Sequence, residues 1–190
     1  AGGFTLDYGP FGFCELFNPR FQPWTGGGEH FSFFNQPFAA EINFKMFCLS
    51  LQPLLLKNKE EIEELDQIKH GFSKLMKKEM QLMWSNKLGL EKCSETLIKE
   101  LFDLMVTSKA DFTIFFRELS EIPKNISFLK ESFYLPLTDE LSEKWNIWLK
   151  KWQGCLNKDD DPKKISQSMK QVNPKYTWRE WMIVPAYEEA

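Results

Sequence analysis

The chain has 190 residues, 43% of them hydrophobic, with 18 Phe, 7 Trp and a net charge of −3. That is enough apolar material for one domain with a core rich in rings. The slightly acidic balance gives no electrostatic case for a nucleic-acid partner. No run approaches the roughly 18 uncharged apolar residues of a membrane-spanning helix, so no membrane span is expected.

Residues 3–36 are rich in Gly, Pro and Phe and show no helical period. A short strand at Phe4 to Leu6 is expected to lead into Asp7, followed by a long irregular segment. Loops of that length are functional or disordered, and Phe13, Phe17, Phe21, Phe31, Phe33 and Phe34 argue for packing over disorder. Gly26-Gly27-Gly28 suits a flexible hairpin tip or a phosphate-binding nest, with the tip the commoner use of such a triplet.

From Pro37 onward the pattern is helical. Pro37 fits a first turn, and Ala40, Phe44, Phe47 and Leu51 mark a helix up to Pro53. Ile62, Leu65, Phe72, Met80 and Met83 mark a long amphipathic helix ending near Gly89, a left-handed cap. Leu97, Ile98, Leu101, Phe102 and Met105 form a third stripe, and Asp111 caps a short helix carrying Phe112, Phe115, Phe116 and Leu119. With Thr138 or Asp139 as N-cap, Leu141, Trp145, Trp148 or Leu149, Trp152 and Leu156 share one face. Three tryptophans in a stripe suit ligand stacking or core packing, and this spacing reads as core. Asp159-Asp160-Asp161 resembles a metal cluster, but it precedes Pro162 and a helical pattern at Ile165, Met169 and Val172, so capping explains it. Asn173-Pro174 breaks that helix, and Tyr176 to Tyr187 forms a last aromatic one.

Cysteines at 14, 48, 93 and 155 have neither zinc-site nor disulfide-framework spacing. Buried thiols are expected, with a single long-range disulfide still open. Only His30 and His70 occur, so a histidine-built metal site is not expected. Lys77-Lys78 and Lys163-Lys164 lie close to carboxylates and read as solvated faces.

The run with chemistry is Thr5-Leu6-Asp7-Tyr8-Gly9-Pro10-Phe11-Gly12-Phe13. An apolar stretch, an aspartate, an aromatic and a glycine have the layout of the metal-binding segment of kinase-like folds. A carboxylate at a strand end can hold Mg²⁺ against nucleotide phosphates, the aromatic packs beneath it, and glycine lets the backbone turn.

This run, with Asn18-Pro19-Arg20-Phe21, Asn35-Gln36-Pro37, Lys87-Leu88-Gly89-Leu90, Asp111-Phe112, Phe115 to Leu119, and Asn173-Pro174-Lys175-Tyr176 with Arg179, resembles the selenoprotein O family of kinase-like protein adenylyltransferases. The likeness spans about residues 4 to 182. It implies a mainly α fold: the C-terminal lobe of a protein-kinase-like fold with a helical C-terminal extension. Residues 1–36 would hold the metal-binding turn and an activation-segment-like loop, and 37–190 the helical lobe and extension. It implies an enzyme moving AMP from ATP to hydroxyl groups of protein substrates, with Asp7 the ligand of Mg²⁺ (or Mn²⁺) and so of ATP. Tyr8 and Phe11 would pack, and Gly9 would free the backbone.

In the family, the glycine-rich nucleotide loop, the phosphate-binding lysine, the base aspartate and a metal-binding asparagine lie upstream of this segment. The resemblance therefore implies the C-terminal part of a larger enzyme, inactive by itself, without a catalytic base of its own. A mitochondrial location follows by resemblance if the source is eukaryotic. Residues 22–34 and Thr177 to Trp181 depart from the family's usual pattern, so neither substrate choice nor redox control carries over. The alternatives are a non-catalytic all-helical interaction domain and a conventional kinase-like phosphotransferase on the same scaffold.

Overall fold

The computed structural model describes residues 14–22, 26, 28–55, 58–157, 159–177 and 179–189. The expected strand at Phe4 to Leu6 and the metal ligand Asp7 lie outside them. The described chain is mainly helical, with no named strand: α1 (Gln36–Leu55), α2 (Lys59–Leu88), α3 (Glu95–Ser108), α4 (Phe112–Leu119), α5 (Asp139–Cys155), α6 (Pro162–Val172) and α7 (Glu180–Glu188). Short 3₁₀ segments cover Glu29–Phe31, Phe33–Asn35 and Ile126–Ser132. None of the helices is long and apolar enough to cross a membrane.

Local chemistry accounts for most helix ends. Ser94, Asp111, Thr138 and Asp161 accept backbone N–H bonds from Leu97, Ile114, Leu141 and Lys163, capping α3, α4, α5 and α6. Asp161 is thus occupied as a cap, in line with the capping reading of the acidic run. Asn58 does the same for α2, accepting from Glu60 and Glu61, which starts that helix before its first apolar marker. Gly89 closes α2 at φ 66°. α1 runs past the expected stop at Pro53 to Leu55. Proline in a last turn forfeits one backbone bond without breaking a helix about to end.

The chain forms two compact units. In the first, whose described residues run from Pro19 to Met80, Phe44 of α1 stacks on Phe72 of α2 with ring centroids 4.6 Å apart. The irregular stretch before α1 folds back on itself, Phe33 and Phe34 donating to the carbonyls of Phe21 and Pro19. Gly26 and Gly28 there have φ of 78° and 64°, a left-handed backbone that disfavours side chains.

The second unit holds residues 14–18 and 81–189 among those described. Its core is the predicted tryptophan face: Trp145, Trp148 and Trp152 are buried with Phe115, Phe116, Leu101, Met105 and Met169. Trp148 donates to the carbonyl of Leu97 at 3.0 Å and Trp152 to that of Leu88 at 2.8 Å. These bonds tie α5 to α3 and to the end of α2, so the stripe is structural and not a ligand platform. No disulfide forms among the four cysteines: Cys48 and Cys93 are buried, whereas Cys155 is exposed.

Candidate functional site

Four segments of the second unit meet at Asp111, which is fully buried. α3 ends at Lys109 in a left-handed conformation, φ 51°, and the chain turns through the buried Ala110 into the cap of α4. That turn is held on two sides. The N–H of Phe17 donates to the carbonyl of Ala110 at 2.7 Å, and the N–H of Phe112 to that of Glu15 at 3.0 Å. Across the turn, the N–H of Asp111 donates to the carbonyl of Ser132 at 2.8 Å. Phe17 is buried between Phe102 and Phe112, with centroids at 5.3 and 5.5 Å. The segment that follows the Asp7 run in sequence is therefore anchored in the core from residue 15 to residue 17.

Side chains complete the junction. Arg179, just before α7, forks onto Asp111, with Nη2 to Oδ1 at 3.1 Å and Nη1 to Oδ2. Nη1 also lies 3.7 Å from Oε2 of Glu15. The hydroxyl of Tyr134 sits 2.9 Å from Asp111 Oδ2 and 3.0 Å from Glu15 Oε2. Its one hydrogen serves one carboxylate at a time. The bonds to Asp111 hold the Arg179 guanidinium above its usual range. Burial, then the bond to Asp111, raises the Tyr134 phenol.

This chemistry defines what the cluster can do. Both oxygens of Asp111 are taken, Oδ1 by Arg179 and the Ile114 N–H, and Oδ2 by Arg179 and Tyr134. It has no lone pair directed at a base's or metal ligand's task. Tyr134 holds its proton too tightly to act as a base near neutrality. The cluster positions backbone, and no group of three or more His, Cys, Asp or Glu among the described residues could hold a metal ion.

A second junction gathers three of the other family-like runs, those at Lys87, at Phe115 to Leu119 and at Asn173. Asn173, buried after α6, donates through Nδ2 to the carbonyl of Lys87 at 2.8 Å and to the Ser120 hydroxyl at 3.0 Å. Arg117 donates to the carbonyls of Lys170 and Asn173. Gly89 meets α6 so closely that a Cβ there would stand 2.6 Å from Met169 Sδ. Lys87 lies with Nζ 4.7 Å from the Phe116 centroid, and burial lowers its ammonium from 10.5 to about 8.

Of the residues singled out in sequence, Asp111 and Arg179 are brought together here, Asp161 stands apart as a cap, and Asp7 is outside the described residues. Glu15 and Tyr134 were missed. Neither belongs to a motif, and only the fold sets them beside Asp111.

Comparison with known proteins decides the lineage. The family model "Protein adenylyltransferase SelO" matches residues 2–190. The chain belongs to the SelO family. It is 32% identical over 203 aligned residues to a protein nucleotidyltransferase YdiU of Flavobacterium johnsoniae, and 29% identical over 198 to one of Aromatoleum aromaticum. Each alignment takes in 99% of this chain but only 38% and 37% of those relatives, so the chain spans less than two fifths of their length.

Proposed function

We propose that these residues are part of a protein adenylyltransferase that moves AMP from ATP to hydroxyl groups of proteins. The observation that carries this reading is the family match across residues 2–190, joined to the Leu6-Asp7-Tyr8-Gly9 run at its start. In the reaction, the acceptor hydroxyl oxygen bonds to the α-phosphorus, the bond to the β-phosphate oxygen breaks, and pyrophosphate leaves. The hydroxyl proton passes to a base that these residues do not supply. On this reading the fold is the C-terminal lobe of a kinase-like enzyme with a helical C-terminal extension.

Asp7 is the one residue we assign to Mg²⁺ (or Mn²⁺) and thus to ATP. Such an ion orients the phosphates and offsets their charge. Asp111 is not assigned to that ion, because both its oxygens are taken by Arg179, Tyr134 and the Ile114 N–H. The contribution of its cluster is mechanical: it holds residues 15–17, eight to ten positions after Asp7, against the core.

The test is label transfer by the full-length protein. Label from α-labelled ATP should enter protein, and label from γ-labelled ATP should not. Incorporation from the γ position alone would replace this reading with a conventional kinase. Incorporation from neither would leave a non-catalytic interaction domain.

A further inference from the structure

The second unit carries a groove of about 530 Å³ between the 3₁₀ segment Ile126–Ser132 and the irregular stretch that leads into α5. Its apolar surface comes from Ile126, Phe133, Leu135, Pro136 and Leu137, and Lys130 is the one charged residue in the lining. Among the described residues Lys130 is paired only with its exposed neighbour Glu131, at 3.7 Å. Such a contact contributes little and is readily exchanged for another carboxylate.

Two further features distinguish this groove from an ordinary surface dip. The main-chain N–H and C=O groups of Leu135 and Leu137 have no hydrogen-bond partner among the described residues. A stretch of that kind offers the free backbone donors and acceptors that an extended peptide uses when it adds as a strand. Tyr134, in the wall, is held by its hydroxyl contacts to Asp111 and Glu15, so this side of the groove needs little ordering on binding. Leu135, within that lining, is 61% exposed.

We infer that this groove docks an extended segment of a protein substrate, seating an apolar side chain on its floor and pairing an acidic residue with Lys130. Residues two apart on an extended chain point the same way, so the acid and the apolar residue stand at i and i+2. The inference rests on the protein-acceptor reading above and deepens it. Through Tyr134 and Glu15, the docked segment sits one side chain from the anchored stretch that follows Asp7 in sequence.

The test uses the full-length protein, without nucleotide, and two fluorescein-labelled octapeptides read by anisotropy. One carries glutamate two positions before a central leucine in a valine and threonine background; the other carries lysine in place of glutamate. The wild type should bind the glutamate peptide at least fivefold more tightly. Lys130→Glu should reverse that order, and Leu135→Asp should weaken both peptides with the unfolding midpoint unchanged. Equal binding of the two peptides, or a preference unmoved by Lys130→Glu, overturns the proposal. So does wild-type self-association in sedimentation velocity that Leu135→Asp abolishes, since the groove would then seat a second copy. AMP transfer from α-labelled ATP by the same preparations reports separately on the catalytic reading, so loss of either result points to one claim alone.

Discussion

Removing the guanidinium from the Asp111 cluster tests the packing account at its most sensitive point. Arg179→Met keeps much of the unbranched apolar stem and takes away both hydrogen bonds of the fork. Asp111, at 0% exposure, would keep the Ile114 N–H and the Tyr134 hydroxyl but lose the cation that offsets its burial. Breaking one partner out of a buried pair costs about 3–5 kcal/mol, and the two surviving bonds place this case at the lower end. Arg179→Lys should recover only part of the loss, because an ammonium cannot reproduce the planar fork. Combining Asp111→Asn with Arg179→Met should cost less than the sum of the single changes, since no charge is then stranded. Urea unfolding followed by tryptophan fluorescence reads this directly, because Trp145, Trp148 and Trp152 lie in the same unit. A loss below about 1 kcal/mol for Arg179→Met, the range of an exposed pair, would refute the view that the cluster is a desolvated unit.

Gly89→Ala should destabilise by roughly 2–5 kcal/mol, because alanine at this left-handed position is strained and its Cβ collides with Met169 and Ile165; a midpoint at the wild-type value would contradict the close contact. Burial lowers Lys87 from 10.5 to about 8, so the unfolded chain binds more protons between those values and stability should rise with pH across them. Lys87→Met should therefore stabilise at pH 7 by about 1–3 kcal/mol, less the cation–π contacts it forfeits, with the gain gone near pH 10.5; a gain that grew with pH would contradict the assignment. Iodoacetamide should modify exposed Cys155 first and spare Cys93, which is buried with its thiol pushed up to about 11. Mass spectrometry of the native protein showing Cys93 alkylated first would contradict its burial.

Periodicity and capping chemistry made most of the helices legible. The tryptophan stripe and the caps at Asp111, Thr138 and Asp161 are local signals, readable because residues three or four apart meet on a helix. The 3₁₀ segment at Ile126–Ser132 escaped because it has no stripe of useful length, and Asn58 escaped because no apolar residue follows it closely. The junction at Asp111 was beyond local reasoning altogether. Glu15, Tyr134 and Arg179 are separated from Asp111 by long stretches of chain, and only tertiary folding makes one cluster of them. Asp111 and Arg179 did appear within the family-like runs, yet their pairing is a fact of the fold. For Asp7 the reverse holds: its assignment rests on the order of residue types around it and on family membership.

That assignment is most directly tested by Asp7→Ala in the full-length protein, with transfer from α-labelled ATP measured beside the unfolding midpoint. Transfer should fall by orders of magnitude while the midpoint holds, because the substitution removes a ligand of the ion that aligns the phosphates. Asp161→Ala is the control: it should keep transfer and cost about 0.5–2 kcal/mol of stability as a lost helix cap. Wild-type transfer by Asp7→Ala, with transfer lost in Asp161→Ala, would contradict the account and move the site to the acidic run before α6.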